Sequence, residues 1–212
     1  MQKTNKFLYY FVYYSVRIIM KLFFRWKVYG LENIPSQGGF LLAVNHASYF
    51  DPVIVGSASS RLIYYLARRS LMKNKFIESI LKSVNTIPVA RGEYDSQALK
   101  EVVDLVKKGS GVLVFPEGTR SKTGNLQKIK NGLGFLAMQS QADILPCYLD
   151  GTWHILPKGK KMISLHKVTV SFGKVIPYTE FSHLKAGKEA YQSIAARTES
   201  SLLSMREGLT DD

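Results

Sequence analysis

The segment GGFLLAVNHASYFDP covers residues 38–52 and decides the predicted fold. Residues 38–44 are an apolar run that begins with glycines, which indicates a buried strand. Asp51 and Pro52 suit the N-cap and the first helical position, so we predict that a helix begins there. His46 therefore lies on a turn between a strand and a helix, where doubly wound α/β sheets bind their ligands.

The spacing of His46 and Asp51 suggests a catalytic base. In a tight turn, a carboxylate five residues after a histidine can accept the proton of one ring nitrogen, which leaves the other nitrogen facing a substrate. We therefore predict that His46 is the general base and Asp51 its orienting partner. The alternative is that Asp51 only caps its helix and His46 is an ordinary polar loop residue.

A second polar loop, residues 116–122, follows another apolar run at residues 111–115. Because the carboxyl ends of parallel strands meet at one edge of a sheet, we expect both loops to face the same pocket. Gly118 allows close approach of a ligand to the backbone, Thr119 offers a hydroxyl and an amide, and Arg120 offers a planar fork for phosphate oxygens. This loop is predicted to hold a phosphate.

Together the two segments resemble the 1-acyl-sn-glycerol-3-phosphate acyltransferase (lysophosphatidic acid acyltransferase) family. Its hallmark is an Asn-His-x4-Asp block followed by a Phe-Pro-Glu-Gly-Thr-Arg-Ser block, and both are complete here, at residues 45–51 and 115–121. The resemblance extends to a middle block at residues 85–91 and a late block at residues 144–147. It departs from the family mainly in the late block and at residues 129–132, where Ile-Lys-Asn-Gly replaces Phe-Lys-x-Gly.

The resemblance implies a mechanism in which the histidine, held by the aspartate, deprotonates a glycerol hydroxyl that attacks an acyl thioester, without a metal or an acyl-enzyme. It implies transfer of a fatty acyl chain from acyl-CoA or acyl-ACP to the sn-2 hydroxyl of lysophosphatidate, giving phosphatidate. Acyl-CoA or acyl-ACP is a co-substrate, and no cofactor is expected. The predicted site residues are catalytic His46 and Asp51, phosphate-binding Arg91, Gly118, Thr119, Arg120 and Lys130, and supporting Asn45 and Glu117.

Two alternatives stay open. The same chemistry could serve another acceptor, such as glycerol-3-phosphate, another lysophospholipid or a lyso-aminolipid. A noncatalytic membrane or nucleic-acid binding module would also use the net charge of +13. We predict no nucleic-acid partner, because the aromatic residues concentrate in the N-terminal segment and not on the predicted strands where bases would stack.

The composition agrees with one enzyme core. A chain of 212 residues with 46% hydrophobic content can bury one substantial core. The single cysteine excludes a disulfide framework, and the absence of Cys and His clusters argues against structural zinc. Cys147 lies in an apolar run and is predicted to be a buried thiol and not a nucleophile. Lys122 and Lys128 are predicted to be solvated.

Residues 1–27 are predicted to form an amphipathic membrane-binding helical segment in front of an acyltransferase domain at residues 28–212. A membrane span would bury Arg17 and Lys21 at about 2.5 to 3.5 kcal/mol each, so we predict a helix that lies in the interface. A shallow or tilted span is the alternative. The two predicted faces are a polar one, with Lys6, Tyr10, Tyr13, Tyr14, Arg17, Lys21 and Arg25, and an apolar one, with Leu8, Phe11, Val12, Ile18, Ile19, Leu22 and Phe23.

The expected protein is therefore membrane-associated, monotopic or peripheral, with its active site facing the cytoplasm. Its expected partners are membrane lipids, a lysophospholipid acceptor, and acyl-CoA or acyl carrier protein. The predicted fold is α/β, with a mostly parallel central sheet flanked by helices and similar to glycerol-3-phosphate acyltransferase. Further strands are predicted at residues 62–67, 86–90, 143–149 and 167–172, and helices at residues 71–84, 96–108, 132–141 and 189–205.

Overall fold

The structure, a computed structural model, describes residues 6–73, 75, 78, 81, 85–90, 95–157, 159–160 and 162–210. Arg91, predicted to bind the acceptor phosphate, lies outside the described residues. So does most of the helix predicted at residues 71–84; of the rest, residues 71–73 end a 3-10 helix (Arg69–Lys73), and Lys75, Glu78 and Leu81 are α-helical.

The described residues form a seven-stranded sheet flanked by helices. Its strands are β1 (Lys27–Tyr29), β2 (Phe40–Val44), β3 (Ile63–Arg68), β4 (Thr86–Val89), β5 (Gly111–Val114), β6 (Asp143–Asp150) and β7 (Thr169–Phe172). The helices are α1 (Lys6–Phe23), α2 (Asp51–Ala58), α3 (Ser96–Lys107), α4 (Gly132–Ser140), α5 (Thr152–Ile155) and α6 (Lys188–Thr210).

The strand order is β1-β7-β6-β2-β5-β3-β4. The five strands from β6 to β4 are parallel, whereas β7 runs antiparallel to β6 and carries β1 as a parallel edge strand. The predicted α/β fold with a mostly parallel sheet is confirmed. The short β1 and α5 were not predicted, because three or four residues are too few to show a period.

Strand β2 lies at the centre of the core, and all five of its residues are buried. Leu41 and Ala43 pack into an apolar cluster with α3, α4 and α6, whereas Phe40, Leu42 and Val44 pack into a second cluster with α1 and α2. Burial on both faces explains the unbroken apolar run, which is typical of parallel strands covered by helices. The carboxyl ends of β2 and β5, which pair with each other, lie side by side at one edge of the sheet.

Helix α1 packs against α2 and turns its apolar side outward. The predicted polar face is wrong for two of its members. Tyr13 donates a hydrogen bond to the carbonyl of Ser59, and Arg17 donates one to the carbonyl of Ser57, so both side chains face the protein. The residues that remain exposed on the outer side include Phe7, Phe11, Tyr14, Ile18 and Leu22.

No helix in the described part of the chain is both long and apolar enough to cross a membrane. The proposed boundary between residues 27 and 28 stays a prediction.

Helices α4 and α6 approach most closely at Gly134. A Cβ atom built there would lie 2.4 Å from the Cα of Tyr191, whereas one built at Gly132, two residues earlier on the same helix, would meet nothing within 4 Å. We expect Gly134→Ala to lower the free energy of unfolding by about 1 to 3 kcal/mol, because backbone must move. Gly132→Ala should leave it unchanged or slightly raised. Urea denaturation of both variants checks this, and equal effects would contradict the packing.

Candidate active site

The ring of His46 contacts the carboxylate of Asp51 at the carboxyl end of β2. His46 Nδ1 lies 2.8 Å from Asp51 Oδ2. The Asp51 side chain is fully buried, while that of His46 keeps 17% of its surface exposed. A proton on Nδ1 is therefore directed at the carboxylate, and Nε2 is left as the acceptor. The predicted pair is thus within hydrogen-bonding distance.

The carboxylate of Asp51 also organises the turn that carries the histidine. Besides the ring, Oδ2 accepts hydrogen bonds from the backbone amides of Ala47 at 2.7 Å and Ser48 at 2.8 Å. The predicted N-cap role is wrong, since the N-cap is Phe50 and Asp51 is the first residue of α2. The aspartate turns back toward the loop and does not cap the helix.

The backbone of His46 joins the two predicted loops. Its amide donates to Glu117 Oε1 at 2.6 Å, and its carbonyl accepts from the amide of Ser121 at 2.7 Å. Its ring stacks on Phe115, with the centroids 3.8 Å apart and the planes 15° apart. His46 is therefore held, through both its backbone and its ring, by the segment that follows β5.

The buried side chain of Glu117 links the two loops by hydrogen bonds and does not pair with Arg120. Its Oε2 accepts hydrogen bonds from the backbone amide of Gln127 at 2.9 Å and from Gln127 Nε2 at 3.0 Å. Burial raises the pKa of the Glu117 carboxyl, although the hydrogen bonds from His46 and Gln127 oppose that rise. Gln127 is not among the predicted site residues, because its only signal in the sequence is a polar side chain shortly after the Gly-Thr-Arg loop.

Asn45 holds the other side of the histidine turn. Its Nδ2 donates to the carbonyl of Leu149 at 2.9 Å, and its Oδ1 accepts from the amide of Leu149 at 2.7 Å. The side chain thereby imitates a further step of pairing between β2 and β6 after the strand has ended. Asn45 thus fixes the position at which the chain leaves the sheet after β2.

The predicted phosphate loop places two cations near His46. The backbone of Gly118 has φ +73°, and a Cβ there would come within 2.9 Å of Lys130 Nζ, so the ammonium group lies directly over the glycine.

The guanidinium of Arg120 lies over the ring of Tyr49, with Cζ 3.3 Å from the centroid. Arg120 Nη1 is buried and has no hydrogen-bond partner among the described residues. Thr119 lies between Gly118 and Arg120 in the sequence, and its carbonyl accepts a hydrogen bond from Gln127 Nε2 at 2.9 Å.

A cavity of about 840 Å³ opens beside these groups. His46, Gly118, Thr119, Arg120 and Lys130 all line it. Its remaining wall is largely apolar and comes from α1, α2, β3, α3 and α4, with Val12, Val53, Leu66, Leu99, Leu133 and Leu136 among its members. One cavity therefore combines a histidine, three cations (Arg68, Arg120 and Lys130) and a largely apolar wall.

The remaining polar candidates lie outside this arrangement. Lys122 and Lys128 are exposed, as predicted. Cys147 is fully buried, also as predicted, and burial raises the pKa of its thiol far above the ordinary value. Among the described residues, no group of three or more His, Cys, Asp or Glu side chains could hold a metal ion.

This fold and this site define an acyltransferase. A family model described as Acyltransferase matches residues 25–150, which is more than half of the 212 residues and includes both loops.

The relatives narrow the family further. A 1-acyl-sn-glycerol-3-phosphate acyltransferase of Bacillus subtilis is 30% identical over 186 residues, 87% of this chain and 88% of that protein. A chloroplastic one of Brassica napus, BAT2, is 33% identical over 147 residues, 68% of this chain but only 42% of that protein. The crystal structure of the 1-acyl-sn-glycerophosphate acyltransferase PlsC from Thermotoga maritima matches with a TM-score of 0.82 and 25% identity, covering 97% of this chain and 80% of that one. The chain belongs to the 1-acyl-sn-glycerol-3-phosphate acyltransferase family.

The hydrogen bonds of Glu117 predict an effect on the free energy of unfolding. Glu117→Gln should lower the free energy of unfolding by about 1 to 3 kcal/mol, because the new NH2 group would face an N–H donor that now has an acceptor. Glu101→Gln, on the exposed side of α3, is the matched control and should change it by less than about 0.5 kcal/mol. Denaturation midpoints in detergent measure both. A harmless Glu117→Gln would mean that the two loops are joined by other contacts.

Proposed function

We propose that this enzyme transfers a fatty acyl chain from an acyl thioester to the sn-2 hydroxyl of 1-acyl-sn-glycerol-3-phosphate, giving phosphatidate. The observation that carries the proposal is the 2.8 Å contact between His46 Nδ1 and Asp51 Oδ2 at the wall of a cavity that also contains Arg120 and Lys130. A base and an anion site on one cavity suit an acceptor that carries both a hydroxyl and a phosphate.

In the proposed reaction, His46 Nε2 takes the proton of the acceptor hydroxyl. The oxygen attacks the thioester carbonyl carbon, the C–O bond forms, and the C–S bond breaks as the tetrahedral intermediate collapses. The imidazolium returns the proton to the departing thiolate. Asp51 stabilises the transient positive charge on the ring and keeps the tautomer in which Nε2 is unprotonated. Neither a covalent acyl-enzyme nor a metal takes part.

The acceptor phosphate is proposed to bind between Arg120 and Lys130. Arg120 has a buried Nη1 that lacks a partner among the described residues, and a phosphate oxygen would supply one. Lys130 adds a second charge, and its side chain occupies the space that a Cβ on Gly118 would need. Thr119 adds a hydroxyl on the same loop. Arg91, by its place in the middle block, is proposed as a further phosphate ligand.

The apolar wall of the cavity is proposed to receive acyl chains, since about 25 cal/mol is gained for each Å² of apolar surface removed from water. The donor is acyl-CoA or acyl-ACP, because both present the same phosphopantetheine thioester. Glycerol-3-phosphate, another lysophospholipid or a lyso-aminolipid remains the alternative acceptor. Membership in an enzyme family favours catalysis over a noncatalytic binding module.

We propose that α1 attaches the enzyme to the cytoplasmic face of a membrane, as a monotopic or peripheral protein whose active site faces the cytoplasm. Its outer side exposes Phe7 by 82%, Phe11 by 62%, Ile18 by 59% and Leu22 by 69%. Exposed apolar side chains of this size on one helical face are typical of interfacial helices. With Arg17 hydrogen-bonded to α2, electrostatic attraction to acidic lipids would come from exposed cations such as Lys21.

The assignment of the base predicts the effect of His46→Ala. Turnover of lysophosphatidate should fall by about 100- to 10,000-fold, the range for loss of a general base. His183→Ala removes an exposed histidine before α6 and should leave turnover unchanged. Mass spectrometry of the lipid product after incubation with each thioester measures both. Near-normal turnover in a folded His46→Ala protein would contradict the assignment.

The proposed phosphate site predicts a dependence on acceptor charge. Arg120→Ala should lower kcat/KM for lysophosphatidate by about 10- to 150-fold, because a charge-assisted hydrogen bond is lost, and should affect an uncharged monoacylglycerol much less. Arg120→Lys should recover only part of the activity, since an ammonium cannot form the bidentate fork. Arg197→Ala, on α6, is the matched control, because Arg197 pairs with Glu180 outside the cavity. An equal proportional loss with the two acceptors would show that Arg120 braces its loop.

A further inference from the structure

The connection between β6 and β7 exposes apolar side chains that the proposed reaction does not use. Met162 is 82% exposed, Ile163 56% and Leu165 67%, all within four positions of the chain. Single exposed apolar residues are ordinary on a protein surface, but a cluster of this kind marks a contact site. We refer to residues 156–167 as the β6–β7 loop.

The same segment is strongly basic. The sequence has no Asp or Glu between Asp150 and Glu180, whereas residues 158–167 contain five lysines and histidines. Of these, Lys160, His166 and Lys167 are described and exposed. A surface that alternates cations with large apolar groups is complementary to an acidic lipid bilayer, in which phosphates lie above hydrocarbon.

Hydrogen bonds hold the β6–β7 loop against the active-site edge of the sheet. The hydroxyl of Ser48, in the histidine turn, donates to the carbonyl of Leu156 at 3.1 Å. The amide of Ser164 donates to the carbonyl of Ile155 at 3.0 Å, and Trp153 Nε1 donates to the carbonyl of Lys122 at 3.3 Å. The loop is therefore linked to the histidine turn directly through Leu156, and to the loop after β5 by way of α5.

The end of this loop also meets the end of α1. The amide of Val168 donates to the carbonyl of Phe24 at 3.0 Å, and the amide of Lys27 donates to the carbonyl of Val168 at 3.0 Å. The last turn of α1 contributes two exposed apolar residues at this junction, Leu22 at 69% and Phe23 at 56%. The end of the β6–β7 loop therefore lies beside the exposed apolar end of α1.

We propose that the β6–β7 loop is a second membrane-binding element, in which Met162, Ile163 and Leu165 enter the interface of an acidic bilayer while Lys160 and Lys167 contact lipid phosphates. This rests on the proposal that the enzyme works at a membrane surface. Two contacts on different elements orient the catalytic domain, so the site opens toward the lipid that supplies its acceptor. An acidic carrier protein would match the lysines, but the three exposed apolar side chains and the position of the loop beside the apolar end of α1 favour lipid.

A fluorescent reporter tests this without any need for activity. The native Cys147 is fully buried, so a thiol introduced on the surface can be labelled selectively with a polarity-sensitive dye. The reporter position is Ile163→Cys. Leu62→Cys is the control, because Leu62 is also exposed but lies before β3, at the opposite edge of the sheet. Ile18→Cys reports separately on α1.

Each labelled protein is mixed with vesicles of phosphatidylglycerol and phosphatidylcholine, with phosphatidylcholine vesicles, and with an acidic acyl carrier protein. We expect a blue shift at positions 163 and 18 with the acidic vesicles, a smaller one with phosphatidylcholine alone, and none at position 62. A shift at position 18 without one at 163 would overturn the second element while leaving α1 attachment intact. No shift at either position would overturn both, and a shift at 163 with the carrier protein alone would assign the loop to a protein partner.

Vesicle binding of the unlabelled chain gives a second measure. Ile163→Ser combined with Leu165→Ser should weaken partitioning into acidic vesicles by about tenfold or more, because two apolar side chains no longer leave water. Leu31→Ser combined with Leu62→Ser removes two exposed leucines from the opposite edge and should change partitioning less than about twofold. Equal losses for the two pairs would overturn the proposal.

Discussion

One oxygen of the buried Asp51 carboxylate accepts hydrogen bonds from the His46 ring and from the amides of Ala47 and Ser48. A buried carboxylate without such partners is strongly destabilising, and this turn supplies three N–H groups. The same arrangement directs the second ring nitrogen of His46 away from Asp51. The contacts that shape the turn therefore also orient the His46 ring.

A second constraint joins this turn to the loop after β5. Both backbone groups of His46 are used, one by Glu117 and one by Ser121, over a sequence separation of 71 residues for the first. The relative position of the two loops is therefore set by backbone hydrogen bonds and by a buried carboxylate. In the proposed function, this arrangement would hold the hydroxyl and the phosphate of one acceptor at a fixed separation.

Local patterns were sufficient for the parallel sheet and for the pairing of His46 with Asp51, because a buried parallel strand, a glycine and a helix start each leave a short-range signal. They failed where the contacts of a side chain depend on residues far away in the sequence. Arg17 was predicted to lie on the polar face of α1, but its side chain donates to the carbonyl of Ser57 in α2. Asp51 looked like a helix cap, but the loop before it offered better donors. The partners of Glu117 likewise depend on how two segments far apart in sequence meet.

The central claim is that Asp51 fixes the tautomer of His46, and nitrogen NMR of the imidazole in detergent-solubilised protein tests it most directly. In the native chain, Nδ1 should carry the proton and Nε2 should be unprotonated at neutral pH. In Asp51→Ala no acceptor faces Nδ1, so the preference for a proton on Nδ1 should be lost as turnover falls. A native His46 with its proton on Nε2, or a tautomer that Asp51→Ala leaves unchanged, would contradict the account.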